Sequence, residues 1–407
     1  MFDVYLYDVR VGTLTPRGRG VGFAYTQQAL DNDRLPALSL SLPKRTEPFP
    51  DSAAGPFFRN LLPEQAFRRL VAAAVGTAPE NSTALLGAIG GECPGAVSIW
   101  PAASGPPPDP EYESLDHAAL LALFSPASRQ ALANAVTRGR LSLAGAQEKI
   151  ALLRDETGAW HLPLKGAVTS HILKQAGAEF AQVLENELSC MTLARECRLD
   201  VPPVGLAAPA IPVFCAERFD RSPAAQPGRI RDKIHQEDFC QVLGVEPERK
   251  YEADGGPGLK KCATVIRRYS SLPAEDLMRF VRWVGFNYLI GNEDAHAKNL
   301  AVLYLPEGLR LAPHYDLVST AVYPDLDRRL AMKVGGAWDV RSIQRKDWLR
   351  FAGAVDVPWE QVRVVLLELA SQVQAAASTT LAFPISDQIA GVMARHAASL
   401  ERALGAR

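Results

Sequence analysis

The strongest constraint on this chain is a helix that runs out into an acidic loop. Between 275 and 290, Leu277, Phe280, Val281, Val284, Tyr288 and Leu289 recur at i, i+3, i+4 and i+7. That spacing predicts a helix with one buried face, and Gly291 suits its terminator. Asp294 then falls on the loop leaving the helix, and Asp294-Ala295-His296-Ala297-Lys298-Asn299 sets an Asn five positions after an Asp. Asn299 opens a short hairpin, 300–304 and then 309–312, whose far end brings His314-Tyr315-Asp316 back toward that loop. Such a set points to phosphotransferase chemistry: an Asp accepts the proton of the target hydroxyl, an amide oxygen binds Mg²⁺, and a second Asp bridges metal and nucleotide. Asx side chains also cap ordinary turns after helices, so the order of the other elements decides between the two readings.

That order is informative. Ser142 to Gln147 is small and flexible, and it leads into Lys149-Ile150-Ala151-Leu152-Leu153, a turn at Glu156-Thr157-Gly158 and a return strand from Trp160 to Leu164. Ser170 to Lys174 is a further strand candidate ahead of a helix of about 182–197. In that helix Leu184, Leu188, Met191 and the stem of Arg195 line one side, Glu187 lies at its edge, and Glu185 and Asn186 point away. Val213 to Asp220 reads as an apolar strand ending in charges; the chain then turns mainly helical and closes with helices near 358–377 and 385–403. A Gly-containing loop, a strand Lys, a helix Glu, a connecting strand, a DxxxxN loop and a returning Asp follow the order of parts in kinase-like phosphotransferases. Small residues at 142–147 would let backbone N–H groups approach phosphate oxygens. Lys174 would bind phosphate, oriented by an ion pair with Glu187.

The first residues, 2–26, alternate and break at Gly18-Arg19-Gly20, which predicts a β-hairpin opening the fold. A small mixed domain follows, with an Ala-rich helix around 64–75 and a strand near Gly95 to Trp100. The run Ala103 to Pro110 sustains neither helix nor central strand and marks a boundary. The expected division is therefore 1–105, an N-terminal subdomain; 106–216, an N-lobe carrying the phosphate loop; and 217–407, a helical C-lobe with the catalytic loop. The fold class expected is α+β: a two-lobed, protein-kinase-like fold with a small β-rich N-terminal subdomain and a mainly helical C-terminal lobe.

Bulk properties narrow the function classes. A net charge of −1, from 44 basic and 45 acidic side chains, supplies no global field toward nucleic acid or anionic lipid. The six cysteines are scattered without CxxC pairs, which fits small buried hydrophobes in a reducing cytoplasm rather than zinc or disulfides. Neither an export signal nor a run of about eighteen apolar residues is visible, so an intracellular protein without membrane contact is expected. His296 and His314 with Asp294 and Asp316 also admit a metal-hydrolase reading, but no HExxH pair accompanies them. The phosphate loop is not GxxxxGK[ST], which disfavours a Walker-type NTPase. Basic doublets at Lys260-Lys261, Arg267-Arg268 and Arg328-Arg329 read first as solvated faces.

With these motifs in place the chain resembles the HipA-type toxin kinases, the serine/threonine kinase half of bacterial HipBA toxin–antitoxin modules. The resemblance runs through Ala37 to Pro43, Phe57 to Pro63, Ser142 to Lys149, Glu217 to Arg221, Gln236 to Gln241, Lys250 to Gly258 and Asp294 to Asn299. It implies Asp294 as catalytic base and Asn299 and Asp316 as Mg²⁺ ligands. It implies ATP contacts from Ala144, Gly145, Ala146, Gln147, Glu148, Lys149, Lys174, His296 and Tyr315, with Glu217, Arg218 and Phe219 as the adenine hinge. Ser142 would be the autophosphorylation site, where a phosphate adds about −1.5 to −2 charge beside the ATP phosphates, expels the loop and silences the enzyme. The implied substrate is an aminoacyl-tRNA synthetase, with arrest of translation and growth. The implied partner is a HipB-like helix-turn-helix antitoxin, through which the complex meets operator DNA. The catalytic loop departs from the familiar pattern in having Ala295 in place of Gly and Glu293 beside the base, where it would aid either proton uptake by Asp294 or metal binding. Two other readings share parts of this pattern: a small-molecule kinase of aminoglycoside type, and a catalytically silent, antitoxin-bound repressor subunit.

Overall fold

The structure, a computed structural model, describes residues 1–18, 20–124, 129–145, 147–175, 180–208, 211–222, 232–380 and 383–405. The chain packs into two compact units, Met1–Gln175 with Leu206–Glu248, and Ala176–Gly205 with Arg249–Arg407. The divisions expected after 105 and 216 both fall inside the first unit.

The chain opens with a meander rather than one hairpin. β1 (Phe2–Leu6) pairs antiparallel with β2 (Val9–Arg17), and β2 with β3 (Gly20–Tyr25); β4 (Val97–Pro101) closes the other side of β1. The additional turn is Tyr7–Asp8, where both residues take positive φ, 51° and 64°, and Leu6 faces Val9 across a two-residue loop. The expected break lies at the second turn, where Arg17 faces Gly20; Arg19 itself is outside the described residues. Val4 and Leu6 are buried on one face and Tyr5 on the other, because β1 is central and covered on both sides.

Beyond the proline-rich link, a second sheet runs β5 (Glu111–Leu115), β7 (Trp160–Leu164), β6 (Lys149–Arg154), β8 (His171–Lys174), β10 (Ile211–Glu217) and β9 (Val204–Ala208). The link separates sheets but not cores. One apolar cluster joins Val4, Phe23, Phe57 and Phe58 from the first part to Leu132, Ile150, Leu173 and Val213 from the second. The helix Gln65–Val75, as predicted from its alanines, packs on the helix Arg129–Gly139.

In the second unit the helix Pro273–Ile290 is the axis. Proline stands at its start with Glu275 and Asp276 in the first turn, favourable against the helix dipole. Gly291 ends it in the left-handed region (φ 68°), and Asn292 N–H returns to Asn287 O at 2.9 Å, a Schellman closure. A side chain at Gly291 would also meet Ala321 at 2.6 Å and Val392 at 2.9 Å. The helices Trp359–Thr380 and Ser386–Leu404 pack on this axis, as does Leu259–Tyr269. The hairpin after Asn299 pairs the strand Ala301–Leu305 with the strand Gly308–Leu311.

One helix contradicts its sequence reading. In Val183–Glu196 it is Asn186 that is fully buried, while Leu188 is half-buried and Arg195 exposed. Asn186 does not point away: its Nδ2 donates to Ser319 O at 2.9 Å and its Oδ1 accepts Ser319 N–H at 2.9 Å. Leu184, Glu187, Cys190 and Met191 are buried with it, so the helix is covered on more than one face and a single apolar stripe misplaces it.

Candidate active site

Within the second unit, the loop after Gly291 is held by backbone and amide bonds and presents one exposed acid. Asn287 Nδ2 donates to Trp283 O (2.9 Å), Asn292 Nδ2 to Asn287 Oδ1 (2.7 Å), and Asn292 Oδ1 accepts Asp294 N–H (3.1 Å). The carbonyl of Asp294 takes His296 N–H at 2.8 Å and the Asn299 side-chain amide at 3.4 Å. His296, Ala297, Lys298 and Asn299 are all buried, whereas the Asp294 side chain is exposed. A carboxylate open to solvent on a fixed backbone is what a general base needs to meet an incoming hydroxyl.

Asp316 returns to this loop, as the hairpin predicts. Tyr315 donates its hydroxyl to Lys298 O at 2.6 Å, and Asp316 adopts φ 60°, a region Asp tolerates. Asp294 and Asp316 both act electrostatically on His296. Burial nevertheless dominates and lowers the imidazole to about 4, so His296 is neutral near pH 7; among the described residues its Nδ1 is buried without a hydrogen bond. His314 lies apart from that role: it packs on Trp283, and burial lowers it to about 3. Glu293 does not share in the site. Its carboxylate takes the Thr320 hydroxyl (3.3 Å) and faces Arg328 (3.5 Å), while burial raises its pKa against that arginine. The small cavity beside the loop, lined by Trp283, Asn287, Asn292, Ala295 and Met332, measures about 30 Å³ and has room for one or two waters, not a nucleotide.

Asn299 and Asp316 supply an amide oxygen and a carboxylate. Mg²⁺ takes hard oxygen ligands and commonly uses one or two protein groups plus phosphates and water, so this donor set fits it.

The first unit carries the remaining predicted residues except Glu187. Ser142 is wholly buried: its Oγ donates to Leu61 O (2.7 Å) and its N–H to Glu92 O (2.8 Å). Gly145 has φ 105°, and its carbonyl accepts Glu64 N–H at 3.0 Å. Ala146 lies outside the described residues. Gln147 donates to Gln175 O (3.3 Å), Glu148 pairs with Arg129 (2.9 Å), and Lys149 reaches back to Ala144 O (3.0 Å). Lys149 and Lys174 are direct cross-strand partners between β6 and β8, and Lys174 Nζ lies 5.4 Å from the Phe214 ring centre. Directly opposed residues share a sheet face, and two like charges there repel unless an anion offsets them. Glu187 is buried in the second unit.

Glu217 and Phe219 are half-buried at the end of β10. Arg218 is committed elsewhere. Its guanidinium donates to Asp220, Glu92, Thr169 Oγ1 and Cys93 O, which uses all five of its N–H groups and leaves none for a nucleotide. Glu92, Asp220, Arg221 and Lys233 complete this buried cluster. Burial would raise the Glu92 carboxyl, but Arg221, Lys233 and Arg218 outweigh it and hold it at about 2.

The family description HipA-like C-terminal domain matches residues 141–377, and HipA N-terminal domain matches residues 2–100. The chain belongs to the HipA family. Y4mE of Sinorhizobium fredii is 39% identical over 378 residues, 91% of this chain and 89% of that protein. The serine/threonine-protein kinase toxin HipA of Shewanella oneidensis is 28% identical over 82% of this chain and 78% of the toxin. A solved Shewanella oneidensis complex of HipA, HipB and operator DNA matches the fold with a TM-score of 0.82 at 24% identity, over 100% of this chain and 98% of that one. The α+β fold of this HipA-family chain is thus that of a solved HipA.

Three sets of residues escaped the sequence reading. Asn287 and Asn292 anchor the loop, Glu92 ties the Ser142 segment to Arg218 and Arg221, and Tyr251 donates its hydroxyl to Asp294 Oδ1 at 2.7 Å. Asn292 sits inside the catalytic-loop motif and Tyr251 inside the glycine-rich segment 250–258, so both had a local signal. Glu92 had none.

Proposed function

We propose that this HipA-family chain is an ATP- and Mg²⁺-dependent serine/threonine protein kinase and the toxin of a type II toxin–antitoxin module. The observation that carries the reading is the exposed Asp294 on a buried, amide-anchored loop that also holds Asn299 and the Tyr315–Asp316 segment. Asp294 would take the proton of the acceptor hydroxyl as that oxygen attacks the γ-phosphorus. Asn299 and Asp316 would hold Mg²⁺, which when bound offsets charge on the phosphate oxygens. Lys149 and Lys174, directly opposed on adjacent strands, would bind phosphate. Neutral His296 would offer its buried Nδ1 to the nucleotide, and the backbone from Glu217 to Phe219 would serve as the adenine hinge. The lobe division at 105 and 216 belongs to the same reading.

Autophosphorylation at Ser142 follows with a mechanical consequence. The hydroxyl is buried against Leu61 O, so the loop must first release its bonds to Leu61, Glu92 and Glu64. A phosphate bearing about −1.5 to −2 charge would have no such donor to return with, and the loop would stay out. By analogy with the Shewanella complex, the partners would be a HipB-like antitoxin and, through it, operator DNA in the cytoplasm. The substrate would be an aminoacyl-tRNA synthetase.

The test is incubation with γ-labelled ATP and a cell extract, with identification of the labelled proteins. Label on a synthetase and on Ser142, lost in Asp294→Gln, is expected. Label confined to small molecules would replace this reading with a small-molecule kinase.

A further inference from the structure

The segment Lys250 to Gly258 stands out in the sequence without a role, and its geometry supplies one. Glu252–Asp254 is a single 3₁₀ turn, closed by Asp254 N–H and Gly256 N–H on the same carbonyl, that of Tyr251, at 3.1 and 2.9 Å. A side chain at Gly256 would lie 2.2 Å from Arg249 O and 2.6 Å from Tyr251 O, so only glycine lets the loop fold this tightly. Glu252 then anchors the turn to the strand Arg329–Val334: its Oε2 accepts Lys333 N–H at 2.9 Å and its Oε1 faces Lys333 Nζ at 3.2 Å. The backbone at Tyr251 is fixed from both sides.

What the fixed backbone presents is the tyrosine. Its ring stands edge-on to His296 at 5.3 Å between centres, and its hydroxyl donates to Asp294 Oδ1 at 2.7 Å. A hydrogen bond to an ionised carboxylate is among the stronger neutral-donor contacts, and it fixes the plane of the acceptor group. The bond occupies Oδ1 and leaves Oδ2, on an exposed side chain, to take a proton.

We infer that Tyr251 is the positioning residue of the phosphotransfer site: it clamps Asp294 through Oδ1 so that Oδ2 faces the acceptor hydroxyl. The inference rests on the kinase reading above. In the step it serves, the acceptor oxygen forms a bond to the γ-phosphorus and the bond from that phosphorus to the ADP oxygen breaks. ADP leaves with the electron pair, and the acceptor's proton passes to Asp294. Tyr251 neither gains nor loses a proton; it restricts the carboxylate to the productive rotamer, which is where misplacement costs rate rather than binding.

ADP formation from ATP, whatever the acceptor, reads this directly in the full chain for wild type, Tyr251→Phe and Asp294→Gln. Tyr251→Phe should lower the maximal rate roughly ten- to hundred-fold, with half-saturating ATP within about twofold of wild type. Its thermal midpoint should move by no more than about 2 °C, because one partly exposed hydroxyl is lost. A Tyr251→Phe rate within twofold of wild type, while Asp294→Gln is inactive, overturns the positioning role alone. So does a slow variant whose ADP affinity and thermal midpoint fall together, which marks a structural brace. Equal rates for wild type and Asp294→Gln overturn Asp294 as the base, on which this inference rests, and the inference with it.

Discussion

The first unit buries Glu92, Arg218, Asp220 and Arg221 in one cluster with half-buried Lys233 beside it, whereas the second unit gathers Asp294, His296, Asn299 and Asp316 around a loop that leaves its acid open. Both are charged centres, the first assembled from residues far apart in sequence and the second from a single stretch, 294–316. In the first, partners outweigh the cost of burial: Arg218 has no donor to spare and Glu92 is held at about 2. In the second, the backbone is tied down while Asp294 keeps solvent access and His296 keeps a buried nitrogen without a donor or acceptor among the described residues. Saturated charge holds a segment in place; charge left open on a fixed backbone is available for chemistry. Perturbed electrostatics alone would not have separated the two.

The contrast breaks most easily at Arg221. Arg221→Met strands Glu92 without its nearest cation and should cost about 3–5 kcal/mol by chemical denaturation, while Asp294→Gln should cost less than about 0.5 kcal/mol. Equal costs would erase the distinction. Next in size, Gly291→Ala forces a left-handed residue against Ala321 and Val392, and a loss of about 2–4 kcal/mol is expected from strain and overpacking together.

His235 sharpens the first centre through pH. Burial lowers it to about 4, opposed by Leu38 O and Asp220, so the native state binds fewer protons than the unfolded chain between about 6.5 and 4. Stability is therefore full above about 6.5 and falls, by roughly 3 kcal/mol, as pH drops to about 4. Urea titrations at stepped pH should show that slope, and His235→Gln should flatten it. The smallest effect is at Asn186→Ala, which removes both bonds to Ser319 and should cost about 1–2 kcal/mol with little change in the helix around it.

Local spacing made the loop after Gly291 legible. The helix 273–290, its Gly291 terminator, the Asp–Asn interval and the returning hairpin all lie within one stretch of chain, and each obeys a rule that works over a few residues. What escaped depends on distance or on cover. Tyr251 meets Asp294 across 43 positions and Arg221 meets Glu92 across 129, and no periodicity reports such pairs. Asn186 was misread because its helix is buried on more than one face, and the Tyr7–Asp8 turn because two non-glycine residues take positive φ. Arg218 matched a family pattern, yet its side chain serves the buried cluster around Glu92 and Asp220.

The central claim, that Asp294 is the base of a phosphotransfer site, is tested most directly by γ-labelled ATP offered to wild type and Asp294→Gln at matched thermal stability. The account predicts transfer of label to a serine in the wild type and none in the variant. Label transferred equally by both would contradict it.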